Sequence, residues 1–377
     1  MIKSKPKTIG ILWVGGKSSR FRNSTKIDVK SSNKSKIYAL LKNKPLFFWV
    51  LNALSAVVDN CVLSFNSFNQ YETFKEYIDQ SSINIQHFSK VIDSPSIISK
   101  GPLQAQLTVL NEYKEARMIL TVSSDMPFIP TMLLRDLSTE STTISTVQTP
   151  NQILEPLVSS YLLRKMRFGV KFLSKIPFGR ADDLHRGVDS LSVYIPPPNY
   201  PSKRTPWNLN INYKHELEEL NLQREESNDR KVSMDDPPPK IKKKTILNSS
   251  NNSSKLSDIV QGDLDQHLNE SESFKTLAYD ELVQAGSYFY GGKYAEYIAY
   301  HSKLKEKVNN WYLKAATSYW EETQLWLNND IPFLAIHSLK DCQLSIKRSN
   351  HNVSFLSEVN QHFSKLSEQL KLSKGGF

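Results

Sequence analysis

Cysteine is nearly absent from this chain of 377 residues, which has two cysteines and no apolar run of membrane-spanning length. Cys61 and Cys342 lie far apart, so no disulfide framework is implied and we expect a reducing compartment. A membrane span needs about 20 mostly apolar residues. The basic N-terminus is not followed by the apolar segment of a secretory signal. These absences predict a cytoplasmic protein that does not enter a membrane.

The sequence also lacks the common arrangements of nucleophilic catalysis. We find no Ser-His-Asp constellation, no cysteine-rich metal site and no candidate catalytic cysteine. The net charge of +10 favours anionic ligands such as nucleotides. Much of the basic excess lies in loops, without a concentrated basic face that carries stacking aromatics, so we do not expect nucleic-acid binding.

A pair of glycines follows the first apolar run of the chain. The run at residues 9–12 predicts a buried strand, and the residues after it are Trp13, Val14, Gly15, Gly16, Lys17, Ser18, Ser19 and Arg20. Glycines let backbone N–H groups approach an anion, and a following helix adds its positive N-terminal end. The segment predicts a phosphate-binding turn, although two glycines after a strand also occur in ordinary turns.

More motifs follow along the chain. In order they are Lys36, Lys44-Pro45-Leu46, Asp93, Gly101-Pro102-Leu103, Asp125-Met126-Pro127-Phe128, Glu155-Pro156-Leu157 and Asn210-Ile211-Asn212. Asp125 follows an apolar run at 118–122, which places it at the carboxyl end of a predicted strand, where open α/β sheets bind ligands. A carboxylate there suits Mg²⁺, and capping of the next helix is its structural alternative.

In this order and spacing, the motifs of residues 8–220 resemble those of the molybdenum cofactor guanylyltransferases, the MobA-like nucleotidyltransferases. The resemblance implies a Mg²⁺-dependent enzyme that transfers GMP from GTP to molybdopterin, or a related phosphorylated acceptor, and releases pyrophosphate. It implies Arg20, Lys36 and Asp125 as catalytic residues, and Asp125 and Asn212 as metal ligands. The nucleotide-binding residues that it implies are Trp13, Val14, Gly15, Gly16, Ser18, Arg20, Lys36, Asn66, Asp93, Gly101, Pro102, Leu103 and Asp125.

Departures from the family pattern bear on the substrate more than on the fold or the reaction. Trp13-Val14 replaces the usual Leu-Ala, and Ser64 replaces a nucleoside-contacting asparagine while Asn66 stays in reach. Asn43 replaces a glycine, and asparagine tolerates a positive φ. Adenosylcobinamide phosphate as the acceptor, or CTP as the nucleotide, are the alternatives. A protein of another class remains open too: a degenerate transferase that acts as a scaffold.

The chain divides into three predicted parts. Residues 1–222 alternate strand and helix patterns, which predicts a Rossmann-like, doubly wound α/β nucleotidyltransferase domain. Its candidate strands are 9–14, 61–65, 118–122 and 143–147, and its candidate helices are 45–57, 71–79, 103–113 and 157–173. Residues 223–272 are polar, with a lysine-rich run at 240–244, and predict a flexible, disordered linker.

Residues 273–377 predict an all-α domain. Small and aromatic residues recur at helical spacing, with one turn predicted at Gly291-Gly292 and another at 328–330. This spacing is similar to tetratricopeptide repeats, and a plain helical bundle accounts for it equally well. We expect the aromatic residues to pack the core, and the helices are the place where a protein partner could dock.

Overall fold

The computed structural model describes residues 7–15, 35–81, 88–197, 200, 207–222, 240–260, 263–349 and 353–372. Within them, eight strands form one sheet in the order β10-β9-β7-β8-β6-β1-β4-β5. These strands are β1 (Thr8–Trp13), β4 (Asn60–Phe65), β5 (Phe88–Ile92), β6 (Met118–Ser123), β7 (Ile144–Gln148), β8 (Leu154–Leu162), β9 (Ser190–Ile195) and β10 (Lys242–Leu247). A separate small hairpin consists of β2 (Leu40–Leu41) and β3 (Lys44–Pro45).

Four parallel strands, β1, β4, β5 and β6, give the sheet a doubly wound topology. β1 pairs in parallel with β4 on one side and with β6 on the other, and β4 pairs in parallel with β5. The chain therefore reverses direction across the sheet between β5 and β6, which creates a crevice at the carboxyl ends of β1 and β6. Open α/β sheets bind ligands at such a point. The predicted doubly wound fold is confirmed.

Helices cover both faces of this sheet because alternate strand residues point to opposite sides. Ile9, Ile11 and Trp13 of β1 belong to one apolar cluster, and Leu12 belongs to the other. The first face packs against α3 (Pro102–Glu112) and α5 (Leu163–Ser174). The opposite face packs against α1 (Leu46–Ser55), α2 (Phe68–Gln80) and α4 (Thr131–Thr139). Two short helices complete this part, α6 (Asp183–Arg186) and α7 (Lys214–Leu222).

One predicted helix is wrong over its first turns. Residues 157–173 were expected to be helical, but 157–162 belong to β8, and α5 begins only at Leu163. β8 pairs antiparallel with both β6 and β7, and residues 158–162 are buried. Pairing with strands distant in sequence satisfies the backbone of this segment, and such pairing overrides a local helical pattern.

The predicted linker at 223–272 is wrong over residues 240–260 and 263–272, and residues 223–239 and 261–262 lie outside the described part of the chain. β10 pairs antiparallel with β9, so the lysine-rich run is an edge strand of the main sheet. After it come α8 (Ser253–Ile259) and α9 (Leu264–His267), and α8 packs against α5. Few apolar residues occur here, but Ile246, Leu256 and Leu264 are all buried in the core. Because most residues of the segment are polar, its composition does not indicate that these three side chains are buried.

Five further helices form the C-terminal region, and each packs against the next. They are α10 (Glu272–Gln284), α11 (Tyr288–His301), α12 (Lys305–Asn328), α13 (Pro332–Ser349) and α14 (Val353–Leu372). The all-α prediction and the turn after residue 328 are confirmed, whereas the turn predicted at Gly291-Gly292 is wrong because both residues lie inside α11. An ideal Cβ at Gly292 would lie 2.5 Å from the Tyr319 ring, so this glycine serves close helix packing. Among the described helices, none has the length and apolar character needed to cross a membrane.

The α/β part and the helical region share buried ion pairs. Arg186 of α6 is fully buried, and its Nε and Nη2 donate to Glu322 at 2.8 and 2.6 Å. Its Nη1 donates to Asp341 at 2.6 Å. We call the surrounding group of charged residues the joint cluster: Arg180, Asp183, Arg186, Lys293, Glu322 and Asp341. Because one apolar cluster also spans both parts, the predicted boundaries at 222 and 273 do not separate independent units.

Candidate functional site

Three of the predicted site residues meet at the carboxyl end of β6. Asp125 follows this strand, and its Oδ2 accepts a hydrogen bond from Lys36 Nζ. Lys36 is the first residue of a short 3-10 helix. Lys36 Nζ also lies 3.3 Å from Asn212 Oδ1. Asp125 and Asn212 lie 89 and 176 positions after Lys36 in the sequence. We call Lys36, Asp125 and Asn212 the edge cluster.

Short-range hydrogen bonds fix the orientation of this cluster. Ser123 Oγ donates to Asp125 Oδ1 at 2.5 Å, and the backbone N–H of Ile211 donates to the Asp125 carbonyl at 3.0 Å. On the other side, Glu216 Oε2 accepts from the backbone N–H of Asn212 at 2.7 Å. The side chains of Lys36 and Asp125 keep 17% and 11% of their exposure, so the pair is largely shielded but reachable from solvent.

The edge cluster fits a magnesium ion that also binds substrate phosphates. Asp125 and Asn212 both direct side-chain oxygens at the same cationic atom, the Nζ of Lys36. Oxygen ligands are those that Mg²⁺ prefers, and it is commonly held by one or two carboxylates together with phosphates and water. Within the described residues, no group of three or more His, Cys, Asp or Glu is placed to hold a metal alone. Asp125 and Asn212 thus offer two side-chain oxygens that could hold a divalent cation.

A second carboxyl group near Asp125 was not predicted as a site residue. Burial raises the pKa of Glu155 to about 7, and the charge of Asp125 adds to this effect. Glu155 therefore carries a proton for part of the time at neutral pH, which limits repulsion between the two carboxylates. The signal for it was present in the Glu155-Pro156-Leu157 motif, but its proximity to Asp125 comes only from the pairing of β8 with β6.

A cavity of about 390 Å³ opens beside the Gly15 turn. Its lining residues come from the ends of β1, β4 and β5, the start of α3, and β8: Trp13, Gly15, Ser64, Phe65, Asn66, Asp93, Gly101, Pro102, Ala105 and Leu157. Six of these ten belong to the predicted nucleotide-binding set, which the fold thus gathers around one space. Sequence reasoning did not identify Phe65 and Leu157 as lining residues, because only the pairing of the strands brings them beside Trp13 and Asp93.

Asp93 supplies a carboxyl group to this mostly apolar cavity. Its backbone N–H donates to the Phe65 carbonyl at 2.9 Å, which fixes the residue at the end of β5. Its Oδ1 is buried and has no hydrogen-bond partner within the described part of the chain. Burial raises the pKa of this carboxyl to about 6. A buried acceptor without a partner is costly, and it suits a ligand that brings its own N–H donors.

Trp13 forms the floor of the cavity. Its indole is 5% exposed, and Nε1 donates to the Leu157 carbonyl at 3.2 Å, which ties β1 to β8. Val14 and Leu103 were also predicted to bind nucleotide, but both side chains are buried in the apolar core. Val14 turns its backbone toward β4, and its N–H donates to the Ser64 carbonyl at 3.1 Å.

Two backbone conformations at this site require particular residues. Gly101 begins α3 with φ 70° and ψ −145°, a region that favours glycine, and Pro102 follows as the first helical residue. Asn43 has φ 60° in the turn between β2 and β3, as its replacement of glycine predicted. Gly16, Ser18 and Arg20, which were predicted to contact the triphosphate, lie outside the described residues.

Several solved structures are similar in outline to the α/β part. A nucleotidyl transferase from Methanothermobacter thermautotroptrophicus is 15% identical, with 59% of this chain and 99% of that chain covered and a TM-score of 0.41. Rv0371c from Mycobacterium tuberculosis H37Rv is 12% identical, with 58% and 98% covered and a TM-score of 0.40. The 4-diphosphocytidyl-2C-methyl-D-erythritol synthase from Anaerococcus prevotii is 10% identical, with 58% and 98% covered and a TM-score of 0.39.

No curated protein matches the sequence. Residues 10–168 do match a known family, described as the MobA-like NTP transferase domain. The matched segment begins in β1, passes through the edge of the cavity and Asp125, and ends within α5. The chain therefore contains a nucleotidyltransferase domain of the MobA-like kind, joined to a helical C-terminal region.

Proposed function

We propose that this protein transfers GMP from GTP to the phosphate of molybdopterin and releases pyrophosphate. The observation that carries the proposal is the position of the edge cluster, at the carboxyl ends of the strands and at the topological switch of a MobA-like domain. A cationic side chain, a carboxylate and an amide oxygen meet there, and this set is suited to a triphosphate with its divalent cation.

The reaction needs no protein nucleophile. An oxygen of the acceptor phosphate attacks the α-phosphorus of the nucleotide, a new P–O bond forms, and the bond to the bridging oxygen of pyrophosphate breaks. Lys36 neutralises charge on the phosphate oxygens, and the side-chain oxygens of Asp125 and Asn212 would hold Mg²⁺ when it is bound. Mg²⁺, when bound, stabilises the negative charge that develops on the leaving pyrophosphate.

The chemistry of the cavity favours guanine as the base. A guanine ring presents N1–H and N2–H donors on one edge, and an ionised carboxylate accepts both. Asp93 offers such an acceptor inside an apolar wall, with Oδ1 otherwise unpartnered among the described residues. Cytosine presents one amino donor beside a ring acceptor, so it would leave the carboxylate less well satisfied. This difference supports GTP over CTP.

The choice of acceptor rests on the resemblance and on charge. The net charge of +10 favours an anionic acceptor, and molybdopterin carries a phosphate. The same reaction with adenosylcobinamide phosphate needs the same groups on the protein.

The test is pyrophosphate release with Mg²⁺, measured for GTP, CTP and ATP with molybdopterin and with adenosylcobinamide phosphate. We expect release with GTP and molybdopterin, and its loss in Asp125→Ala. Asp79→Ala removes an exposed carboxylate at the end of α2 and should leave release unchanged. Release with another pair alone would overturn the assigned substrates. A folded protein that binds no nucleotide would overturn the transferase and favour the scaffold.

A further inference from the structure

One wall of the nucleotide cavity is held from behind by a segment that does not line it. Gly101 and Pro102 form part of this wall at the start of α3. Just before them, Ser99 is fully buried and its Oγ donates to the Ile176 carbonyl at 2.6 Å. The backbone N–H of Ile98 donates to the Ser174 carbonyl at 3.4 Å. The end of α5 and the residues after it therefore fix the approach to the wall.

Gly179 presses directly on the same wall. An ideal Cβ at this position would lie 2.2 Å from Leu103 Cδ2 and 3.3 Å from Ser99 Oγ. Leu103 is fully buried and has little room to move, so the backbone at 179 sets how far the first turn of α3 can retreat. Any displacement of the 176–180 segment would reach the cavity through Leu103.

The 176–180 segment is itself held by the helical region through the joint cluster. Arg180 Nη1 and Nη2 donate to the two carboxylate oxygens of Asp341 at 2.8 and 3.0 Å, and Nη2 also donates to the His337 carbonyl at 3.0 Å. The backbone N–H of Arg180 donates to Asp183 Oδ2 at 3.1 Å. Lys293 Nζ lies 3.1 Å from the same oxygen. Helix α13 thus contacts the 176–180 segment directly at Arg180, and α11 contacts it through Asp183.

The charged groups of the joint cluster stabilise one another in their ionised forms despite their burial. Burial alone would raise the pKa of Asp341, but Lys293, Arg180 and Arg186 together hold it well below the usual range. Burial opposes the charge of Arg180 too, and Asp341 and the aspartates beside it nevertheless raise its pKa above the ordinary value. Charge-assisted, two-pronged pairs of this kind fix geometry as well as adding energy.

We propose that Arg180 is a positioning residue for nucleotide binding, and that the helical region sets nucleotide affinity through Arg180, Gly179 and Leu103. This inference rests on the proposed function, because it concerns the same cavity. Arg180 is absent from the lining of the cavity and acts only through the wall. The helical region is then part of the nucleotide-binding unit, although the matched family segment ends before α11 begins.

The test compares Arg180→Ala with Lys244→Ala in the full chain. Lys244 pairs with Asp330 at 3.5 Å, so it also joins the sheet to the helical region, but from β10, far from the cavity strands. The two side chains have similar exposures, 31% and 34%. Titration calorimetry with GTP and with CTP, in the presence of Mg²⁺, gives the dissociation constants. We expect Arg180→Ala to weaken binding roughly fivefold or more, and Lys244→Ala to leave it unchanged.

A second readout does not depend on nucleotide. Hydrogen exchange of residues 97–103 should be faster in Arg180→Ala than in the wild type, and unchanged in Lys244→Ala. Equal exchange and equal dissociation constants in all three proteins would overturn the inference. Wild-type protein that binds neither nucleotide would overturn the proposed function instead, and the claim about affinity with it.

Gly179→Ala keeps the inference testable if Arg180→Ala unfolds. The added methyl group must displace Leu103 and would also lie 3.2 Å from Asp183 Oδ2, but the substitution removes no charged group of the joint cluster. We expect weaker nucleotide binding in a protein that still folds, with a lowered thermal unfolding midpoint because overpacking a buried site is destabilising. Wild-type affinity in a folded Gly179→Ala protein would show that the 176–180 segment does not influence the cavity wall at Gly101 and Pro102. That result would overturn the inference.

Discussion

The edge cluster and the joint cluster are both built from charged side chains, yet their surroundings differ. Lys36 and Asp125 keep 17% and 11% of their side-chain exposure, and Lys36 faces two oxygen ligands that suit a metal. Arg186 and Glu322 keep 0% and 1%. The difference shows that charges available for a ligand lie at a crevice reachable from solvent. At the centre of the joint cluster, Arg186 and Glu322 have only protein partners, whereas Arg180 at its rim keeps 31% of its side-chain exposure.

Removal of the helical region should have the largest effect on folding, because it takes away half of the joint cluster and leaves the edge cluster in place. A fragment of residues 1–222 removes β10 from the sheet edge and takes Glu322 and Asp341 from Arg186. The fragment would leave the Arg186 guanidinium with Asp183 but without Glu322 and Asp341, and it would expose core surface. We therefore expect aggregation, or no cooperative unfolding transition by circular dichroism. A soluble fragment with a sharp transition would restore the independent domain predicted from composition.

Glu322→Ala should be the next largest effect. It leaves Arg186 buried with half of its carboxylate contacts and also removes the acceptor of Trp326 Nε1 at 2.9 Å. Breaking a buried pair on one side costs about 3–5 kcal/mol. The measurement is urea unfolding, with Glu321→Ala as the matched control. Glu321 is the exposed neighbour in α12, and its loss should change the free energy of unfolding by no more than about 0.5 kcal/mol.

Lys36→Met should have the opposite pattern to Glu322→Ala, with a large loss of activity and a small change in stability. Turnover should fall roughly 10²- to 10³-fold, because charge on the phosphates is no longer neutralised in the transition state. The free energy of unfolding should change by less than it does in Glu322→Ala, since the pair retains contact with solvent. Lys75→Met, on the exposed side of α2, is the control for pyrophosphate release. Full activity in Lys36→Met would exclude Lys36 from the reaction.

The smallest expected effect concerns pH. Because burial raises the pKa of Asp93 to about 6, GTP binding that needs the carboxylate should weaken as the pH falls through 6. Asp93→Asn should weaken GTP binding at pH 8 and flatten this pH dependence, measured by calorimetry between pH 5 and 8. CTP binding should respond less, and an identical pH profile for both nucleotides would contradict the role of Asp93 in base choice.

The same residue makes a prediction about stability. Its folded pKa lies above the unfolded value of 3.8, so the folded protein holds this proton more tightly. The stability that Asp93 contributes is therefore fully present below pH 4 and is lost as the pH rises through 6. Asp93→Asn should remove that loss and raise the free energy of unfolding at pH 8 by roughly 1 kcal/mol. Urea unfolding at pH 4 and pH 8 checks the sign.

Local sequence determined the parts of this protein that depend on neighbours in the chain. The apolar run before Gly15 and the strand before Asp125 are set by residue spacing and are found where they were predicted, and Asn43 has the positive φ that asparagine tolerates. The motif set also indicated the MobA-like domain, which the family match at residues 10–168 bears out.

Tertiary structure decided the features that join distant positions. The contacts of Lys36 with Asn212, of Gly179 with Leu103 and of Arg186 with Glu322 bring together residues from separate elements. Composition suggested a flexible linker at 223–272, yet a few buried apolar side chains and one row of strand pairing order residues 240–260 and 263–272. The physical reason is that burial and pairing depend on which surfaces meet, and a pattern read along the chain contains only neighbours.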